Sequence, residues 1–313
     1  MMYDIAVIGG GAAGLSAAIY AQRAMLKTVV VEQEYMGTGQ IAESPRVDNY
    51  PGFFGAAGAE LGDSFRSHAE ALGTEFINDK AVNITPLENK NRYRIGLSEG
   101  ETMETKTVVF APGCKRKALG IKGEREFSGR GVSFCAVCDG AFYKGKTAAV
   151  IGAGDTAFSD ALYLANIALK VYIIARRDKF RAGNSLVNAA KKCGNIEIIT
   201  GAVPLEIMGE GSVNGILVNA DGKEKLLAAS GVFIAAGSIP NTSLLSGIAE
   251  LDESGYVIAD ESGITSAAGI FAAGDVRTKQ LRQVITAAAD GANCVISAEK
   301  YIRENFRDRE EVL

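Results

Sequence analysis

The chain has one histidine, His68, among its 313 residues, and only Cys135 and Cys138 of its five cysteines form a C-x-x-C pair. With no second such pair, the four-ligand set of a structural zinc site is missing, and no metal is expected. Five cysteines in a chain of this length make no disulfide framework. Cys114, Cys193 and Cys294 stand alone and read as small buried hydrophobes. His68 falls in a helical stretch, 65–72, far in sequence from the pair, and reads as a solvated helix residue. Long basic runs are absent and the net charge is −4, which argues against a nucleic-acid partner. No apolar stretch approaches the roughly 20 residues of a transmembrane helix. A strand begins within the first four residues, which leaves no room for a signal peptide. The expectation is a soluble, cytoplasmic chain. Proline is scarce, 6 residues against 37 glycines in a chain that is 47% hydrophobic, as suits a globular α/β protein. The length has room for roughly two domains.

What the chain does have is one kind of turn, twice. The first, Gly9-Gly10-Gly11-Ala12-Ala13-Gly14, follows an apolar run at 5–8; the second, Gly152-Ala153-Gly154-Asp155-Thr156, follows another at 147–151. After a buried strand, the first glycine makes a tight turn and the second lets backbone approach a pyrophosphate. A third small residue lets the helix pack close to the strand. The helix start then offers unpaired N–H groups and its positive dipole end. The first unit reads as strand 4–8, helix 14–25 and strand 28–31. The second reads as strand 147–151, helix 155–168 and strand 170–175. One such turn is weak evidence. Two, bracketing Cys135-Ala136-Val137-Cys138-Asp139, suggest two nucleotides with a redox-active pair between them.

Counting separates the nucleotides. Glu32 ends the second strand of the first unit, 23 residues after Gly9, where an acid accepts from a ribose hydroxyl. The same count from Gly152 lands on Ala175, followed by Arg176, Arg177 and Arg181. Loss of the carboxylate and gain of guanidinium forks is what a 2′-phosphate requires. The first unit therefore reads as an FAD site and the second as an NADPH site. A solvated basic edge is the plain alternative for the three arginines.

Beyond the first unit come a loop at 37–40, a helix over about 58–72, and strands near 76–85, 93–97 and 107–110. The strand-then-glycine endings at 108–113 and 232–237 close the two units alike, a weak internal duplication. The predicted fold class is α/β, two Rossmann-like domains with the second inserted into the first. Residues 1–115 and 244–313 would form the FAD-binding domain, and 116–243 the NADPH-binding domain carrying the cysteine pair. A last helix opens at Arg282-Gln283-Val284 and runs to about residue 301.

Taken in order, these segments resemble the low-molecular-weight, bacterial-type thioredoxin reductases along nearly the whole chain. They are Gly9–Gly14, Asn49-Tyr50-Pro51-Gly52, Cys135–Gly140, Gly152–Ala157, Arg176-Arg177-Asp178 with Arg181-Ala182, Gly274-Asp275 and Arg282-Gln283-Val284. The resemblance implies a homodimer with FAD in the discontinuous domain and NADPH in the inserted one. It places FAD along Gly9, Gly11, Ala12, Ala13 and Gly14, with its ribose near Glu32 and Gln33. Gly39, Gln40, Asn49, Val82, Ala111, Gly113, Gly274, Asp275, Arg282, Gln283 and Val284 would hold the rest. NADPH would take Gly152, Gly154, Asp155, Thr156, Arg176, Arg177 and Arg181. By the same resemblance Cys138 faces the flavin, Cys135 attacks the protein substrate, and Asp139 protonates the leaving thiolate. Three positions depart from the family pattern: Ala175 in place of a histidine, the longer loop Gly37-Thr38-Gly39-Gln40, and Pro112 in place of a threonine.

The implied chemistry runs from NADPH through the flavin to the Cys135–Cys138 disulfide. Exchange with thioredoxin or a thioredoxin-like protein follows, through a mixed disulfide. A four-residue disulfide loop stabilises a fold little, so a purely structural bridge is the weaker reading. Other readings of the same fold are reduced ferredoxin as donor, a flavin dithiol oxidase, and a redox sensor with the cysteines as its switch. An oxidase would not need Arg176 and Arg177. A complete second nucleotide site argues against a sensor.

Overall fold

A computed structural model describes residues 2–34, 37–44, 46–87 and 91–306. The chain opens on β1 (Met2–Ile8), whose last four residues are buried on both faces, as in a central parallel strand. Gly9 then turns the chain into α1 (Ala12–Arg23), which returns it to β2 (Thr28–Val31) parallel to β1. After α2 (Gly58–Ala71) come β3 (Glu75–Ile77), β4 (Ala81–Leu87), β5 (Arg92–Leu97) and β6 (Thr102–Phe110). The chain leaves this first unit through β7 (Cys114–Arg116).

The second unit starts with β8 (Val132–Ser133) and the single-turn helix α3 (Ala136–Asp139). It then repeats the strand–helix–strand pattern with β9 (Thr147–Ile151), α4 (Asp155–Ala165) and β10 (Lys170–Ile174). It continues through α5 (Asn184–Lys192), β11 (Ile196–Ile199), β12 (Ala202–Glu210), β13 (Ser212–Ala220), β14 (Lys223–Ala228) and β15 (Gly231–Ile234). The return crossing is β16 (Ser238–Pro240), which pairs with β7. The first unit is completed by β17 (Ile270–Ala272) and the long helix α6 (Val284–Phe306).

Both units follow one plan. In the first, the sheet runs β3-β2-β1-β6, with β5 on the start of β6 and β17 on its end. In the second, it runs β11-β10-β9-β15-β8, all parallel. The period-two alternation of these strands feeds two cores per unit. Ala6 and Ile8 of β1 enter one cluster, Ile5 and Val7 the other. Ala148 and Val150 of β9 likewise face one cluster, Ala149 and Ile151 the other. Contacts divide the chain into Met1–Lys115 with Ile239–Leu313, and Arg116–Ser238. The return to the first unit thus falls earlier than the 243/244 boundary read from sequence. Asn241, just past this crossing, bonds to the first unit: its amide N donates to Gly113 O at 3.0 Å and its Nδ2 to Pro112 O at 2.8 Å.

Three local expectations need correction. The helix expected over 14–25 starts at Ala12 and stops at Arg23, because Met25 takes a left-handed conformation, φ 58°. The strand expected over 76–85 is two strands, β3 and β4, on opposite sides of the sheet order. The second unit also contains an antiparallel sheet, β12-β13-β14, that the sequence reading passes over.

Candidate active site

Steric constraints account for the first turn. Gly9 sits at φ 105°, and a Cβ there would lie 2.5 Å from Ala111 O. A Cβ on Gly14 would run into the Gly9 carbonyl oxygen, so α1 approaches β1 only through glycine. Gly11 differs: the nearest atom to a Cβ there is Gly39 Cα at 3.8 Å. The space above the second glycine is therefore left clear by the protein. The start of α1 has no side-chain cap and no acid in its first turn, which includes Ala12 and Ala13, leaving N–H groups available to a phosphate. Glu32 accepts from Gly10 N at 2.6 Å and Glu34 N at 3.1 Å, which places its carboxylate against the turn; Gln33 beside it is exposed. This cradle fits a dinucleotide such as FAD.

Other residues of the first unit expected around FAD come from distant parts of the chain. Asn49 Nδ2 donates to Gln283 Oε1 at 2.9 Å, across 234 positions, and Gln40 Nε2 donates to Cys114 O. Arg282 stacks its guanidinium 4.2 Å from the Tyr256 ring centre and reaches Asp275 O at 3.5 Å. Ala111 N donates to Ile8 O at 2.8 Å, tying the end of β6 to β1, and Gly113 turns at φ 65°. Gly39 turns at φ 76° against Gly11, and Val284 opens α6. Val82 lies exposed near the start of β4.

The loop bearing Gly274 and Asp275 is held by a group the sequence did not reveal. The buried Asp290 of α6 accepts from Gly274 N (2.9 Å), Arg277 Nε (3.0 Å) and Nη2 (2.8 Å), and Lys279 Nζ (2.7 Å). These donors hold its carboxyl below the ordinary range although burial pushes it up. Arg277 is only 2% exposed, so the triad is a buried ionic anchor. Cys114 also sits here, its Sγ donating to Asp275 O at 2.9 Å, and burial pushes its thiol up to about 12. Cys294 is buried and pushed up to about 12 as well. Both read as packing groups, not nucleophiles.

The second turn has the same construction with a different lining. A Cβ on Gly152 would lie 2.6 Å from Ala235 O, while one on Gly154 would meet nothing within 4 Å. Asp155 stands in the first turn of α4 beside the exposed Thr156, but its Oδ1 accepts from Gly183 N at 2.8 Å. Arg181 N and Ala182 N donate to Ala153 O, at 2.9 and 3.2 Å, so the arginine loop is laced to the glycine turn. Arg176, Arg177 and Arg181 are exposed, and among the described residues none forms an ion pair. Three uncompensated guanidinium groups beside an open turn fit a phosphorylated nucleotide such as NADPH.

The cysteine pair is closed as a disulfide, with Cα atoms 5.3 Å apart. Cys135 caps α3, and Cys138 N donates to its Sγ at 3.1 Å. Asp139 ends the helix half-buried. Burial pushes its carboxyl up, while the Ser133 hydrogen bond and the Arg116 charge pull it down, leaving it above the ordinary range. Ser133, unnoticed in the sequence, donates to Asp139 Oδ2 at 2.6 Å and accepts from Cys135 N at 3.1 Å. His68 lies on α2 and belongs to neither turn nor pair. Among the described residues no cluster could hold a metal, and no helix is long and apolar enough to cross a membrane.

Two dinucleotide cradles of Rossmann type and a disulfide with its own carboxyl define a nucleotide-dependent disulfide oxidoreductase. Residues 3–291 match the model of the pyridine nucleotide-disulphide oxidoreductase family, and the chain belongs to that family. It is 39% identical to a thioredoxin reductase of Listeria monocytogenes, over 97% of this chain and 95% of that one. A thioredoxin reductase structure from Streptococcus pyogenes superposes with a TM-score of 0.91 at 36% identity, covering 97% of this chain and 99% of that chain. A ferredoxin-flavin thioredoxin reductase from Clostridium acetobutylicum reaches a TM-score of 0.52 at 31% identity, over 97% and 99%.

Proposed function

We propose that this protein is a thioredoxin-disulfide reductase, a flavoprotein passing electrons from NADPH via FAD and the Cys135–Cys138 pair to thioredoxin or a thioredoxin-like protein. The observation that carries the reading is the closed Cys135–Cys138 disulfide with the Asp139 carboxyl at the end of the same helical turn. Gly9, Gly11, Gly14, Glu32, Gln40, Asn49, Asp275, Arg282 and Gln283 would hold FAD, and Gly152, Gly154, Arg176, Arg177 and Arg181 would hold NADPH. Bound there, the two cofactors supply the hydride and electron-pair chemistry that side chains lack.

The chain's own part is thiol–disulfide exchange. In the reduced pair the Cys135 thiolate attacks one sulfur of the partner's disulfide. That S–S bond breaks, its electron pair leaves on the second partner sulfur, and a mixed disulfide forms. The Cys138 thiol gives its proton to the Asp139 carboxylate, and Cys138 Sγ attacks Cys135 Sγ. The second bond to the partner breaks and the Cys135–Cys138 disulfide closes. Two electrons pass to the partner, and the proton held by Asp139 supplies one of its two thiols. The Cys138 amide supports this order, because a donor aimed at Cys135 Sγ stabilises the thiolate there. Burial raises the proton affinity of Asp139, which suits a group that must take up and release a proton.

The same reading has the protein working as a homodimer in the cytoplasm; exposed Ile285 and Ile296 on α6 are apolar surface that pairing would cover. Ferredoxin as donor is the second reading, favoured by Ala175 and by the likeness to the Clostridium enzyme. The three unpaired arginines favour NADPH. The deciding experiment is anaerobic titration of the yellow protein with NADPH, NADH and reduced ferredoxin, followed by turnover with oxidised thioredoxin. Rapid bleaching by NADPH and steady thioredoxin reduction are expected. Bleaching by ferredoxin alone would reassign the donor, and a single stoichiometric reduction without turnover would remove the enzyme reading.

A further inference from the structure

Ser133 ends β8, a two-residue strand with both residues buried. Its hydroxyl has one proton and two acceptors within reach, Asp139 Oδ2 at 2.6 Å and Cys135 O at 3.4 Å. The shorter bond, to a carboxylate, takes the proton. The hydroxyl oxygen meanwhile accepts from Cys135 N at 3.1 Å. One buried side chain thus bonds both ends of the C-x-x-C-D turn. We propose that Ser133 is a positioning residue of the exchange reaction, holding the Asp139 carboxyl where it takes and returns the proton of the cysteine pair. The proposal rests on the reading of Cys135–Cys138 as the exchanging dithiol.

The surroundings explain why this bond matters. The other charged group close to Asp139 is Arg116 of β7, which stacks over Phe134 at 5.1 Å and acts through space. Burial, and after it the Asp139 charge, push the Tyr143 hydroxyl, one turn on, up to about 12. From α4, Tyr163 faces the next residue: a Cβ on Gly140 would lie 2.9 Å from Tyr163 Cε1. Asp160 shares that face of α4, three residues before Tyr163, and burial pushes it up to about 6. Among the described residues, Ser133 gives the one hydrogen bond drawn to the Asp139 side chain. It favours the carboxylate, so its removal makes Asp139 hold its proton more tightly.

The step that reads this is closure of the pair. When the reduced protein meets a small aromatic disulfide, one cysteine forms a mixed disulfide and releases an aromatic thiolate. The second cysteine passes its proton to the Asp139 carboxylate, its sulfur attacks the first, and a second aromatic thiolate leaves. Closure therefore slows as pH falls and Asp139 becomes protonated. The test uses full-length protein, reduced anaerobically, in a Cys193→Ser background because Cys114 and Cys294 are buried and unreactive. Release of the second thiolate is followed against pH for wild type, Asp139→Asn, Ser133→Ala, and the near-isosteric pair Ser133→Thr and Ser133→Val.

Asp139→Asn should abolish the acid limb. Ser133→Ala and Ser133→Val should each move it up by roughly one pH unit, about tenfold slower closure below the limb. Ser133→Thr, which keeps the hydroxyl, should overlay wild type. A limb that Asp139→Asn removes but neither Ser133→Ala nor Ser133→Val moves overturns the role of Ser133 alone. If Thr and Val shift it equally, packing and not the hydroxyl is responsible, and the role is again overturned. A wild-type profile that Asp139→Asn leaves unchanged overturns the proton role of Asp139 and this proposal with it. If Ser133→Ala does not fold, the Thr–Val comparison decides.

Discussion

The amide N–H of Cys138 points at Cys135 Sγ, where it favours a thiolate. Under the proposed function Cys135 makes the outward attack and Cys138 the closing one. Cys138→Ser, reduced and mixed with oxidised thioredoxin, should therefore accumulate a covalent 1:1 adduct through Cys135, visible by mass spectrometry. Cys135→Ser should trap none, and the opposite pattern would exchange the two roles. At the second turn, replacing both Arg176 and Arg177 with alanine should raise the Michaelis constant for NADPH by about 10- to 150-fold. The constant for NADH should hardly move, because only the 2′-phosphate contact is lost. Equal losses for both nucleotides would return the arginines to a solvated edge. The cysteine pair was legible because its chemistry is written in nearby letters, Cys135 and Cys138. Ser133 was not: in a strand buried at both positions, alternation gives no sign of which side chain faces the pair. Asp290 was not either, since a carboxylate on a helix reads as solvent-facing until Arg277 and Lys279 fold back onto it.

At the scale of elements, the two strand–turn–helix units were legible for a steric reason. Gly9, Gly14 and Gly152 each occupy a place where a Cβ would strike backbone oxygen, so the sequence has to show glycine there. The antiparallel sheet was hidden because β12 shifts register between Pro204 and Glu206 and again between Met208 and Gly209. Each shift breaks the period-two pattern by which a strand is recognised. Helix α4 carries a charge at odds with its packing. Burial of Asp160 pushes its carboxyl up to about 6, from an ordinary value of 3.8. The folded protein therefore binds this proton more tightly than the unfolded chain. The resulting stabilisation is complete below about pH 4 and is lost as pH rises through about 6. Asp160→Asn should be more stable than wild type at pH 7.5, by on the order of 1–3 kcal/mol, and indistinguishable from it near pH 4. Urea melts at the two pH values check this. A variant no more stable at pH 7.5 would mean that the Asp160 charge is solvated or paired.

At the scale of the whole molecule, the two units differ in how the chain builds them. The first is assembled from two segments, and the loop at Gly274 and Asp275 reaches its place only through the returning segment. Under the proposed function FAD binding would require both, and the full chain should purify with one FAD; folded but colourless protein that added FAD cannot reconstitute would remove the flavin from the proposal. The second unit is one continuous stretch, Arg116–Ser238. Its sheet is covered on both faces by its own residues: Val150, Phe158 and Phe233 in one cluster, Ile151, Ile216 and Ile234 in the other. A stretch of this length that supplies both of its cores has the makings of an independent domain. Expressed alone, residues 116–238 should melt cooperatively, and they should retain the arginine loop laced to Ala153. They should then bind NADPH more tightly than NADH in calorimetry, without any flavin present. Folding of the fragment with equal affinity for the two nucleotides would show that Arg176, Arg177 and Arg181 do not by themselves select the 2′-phosphate.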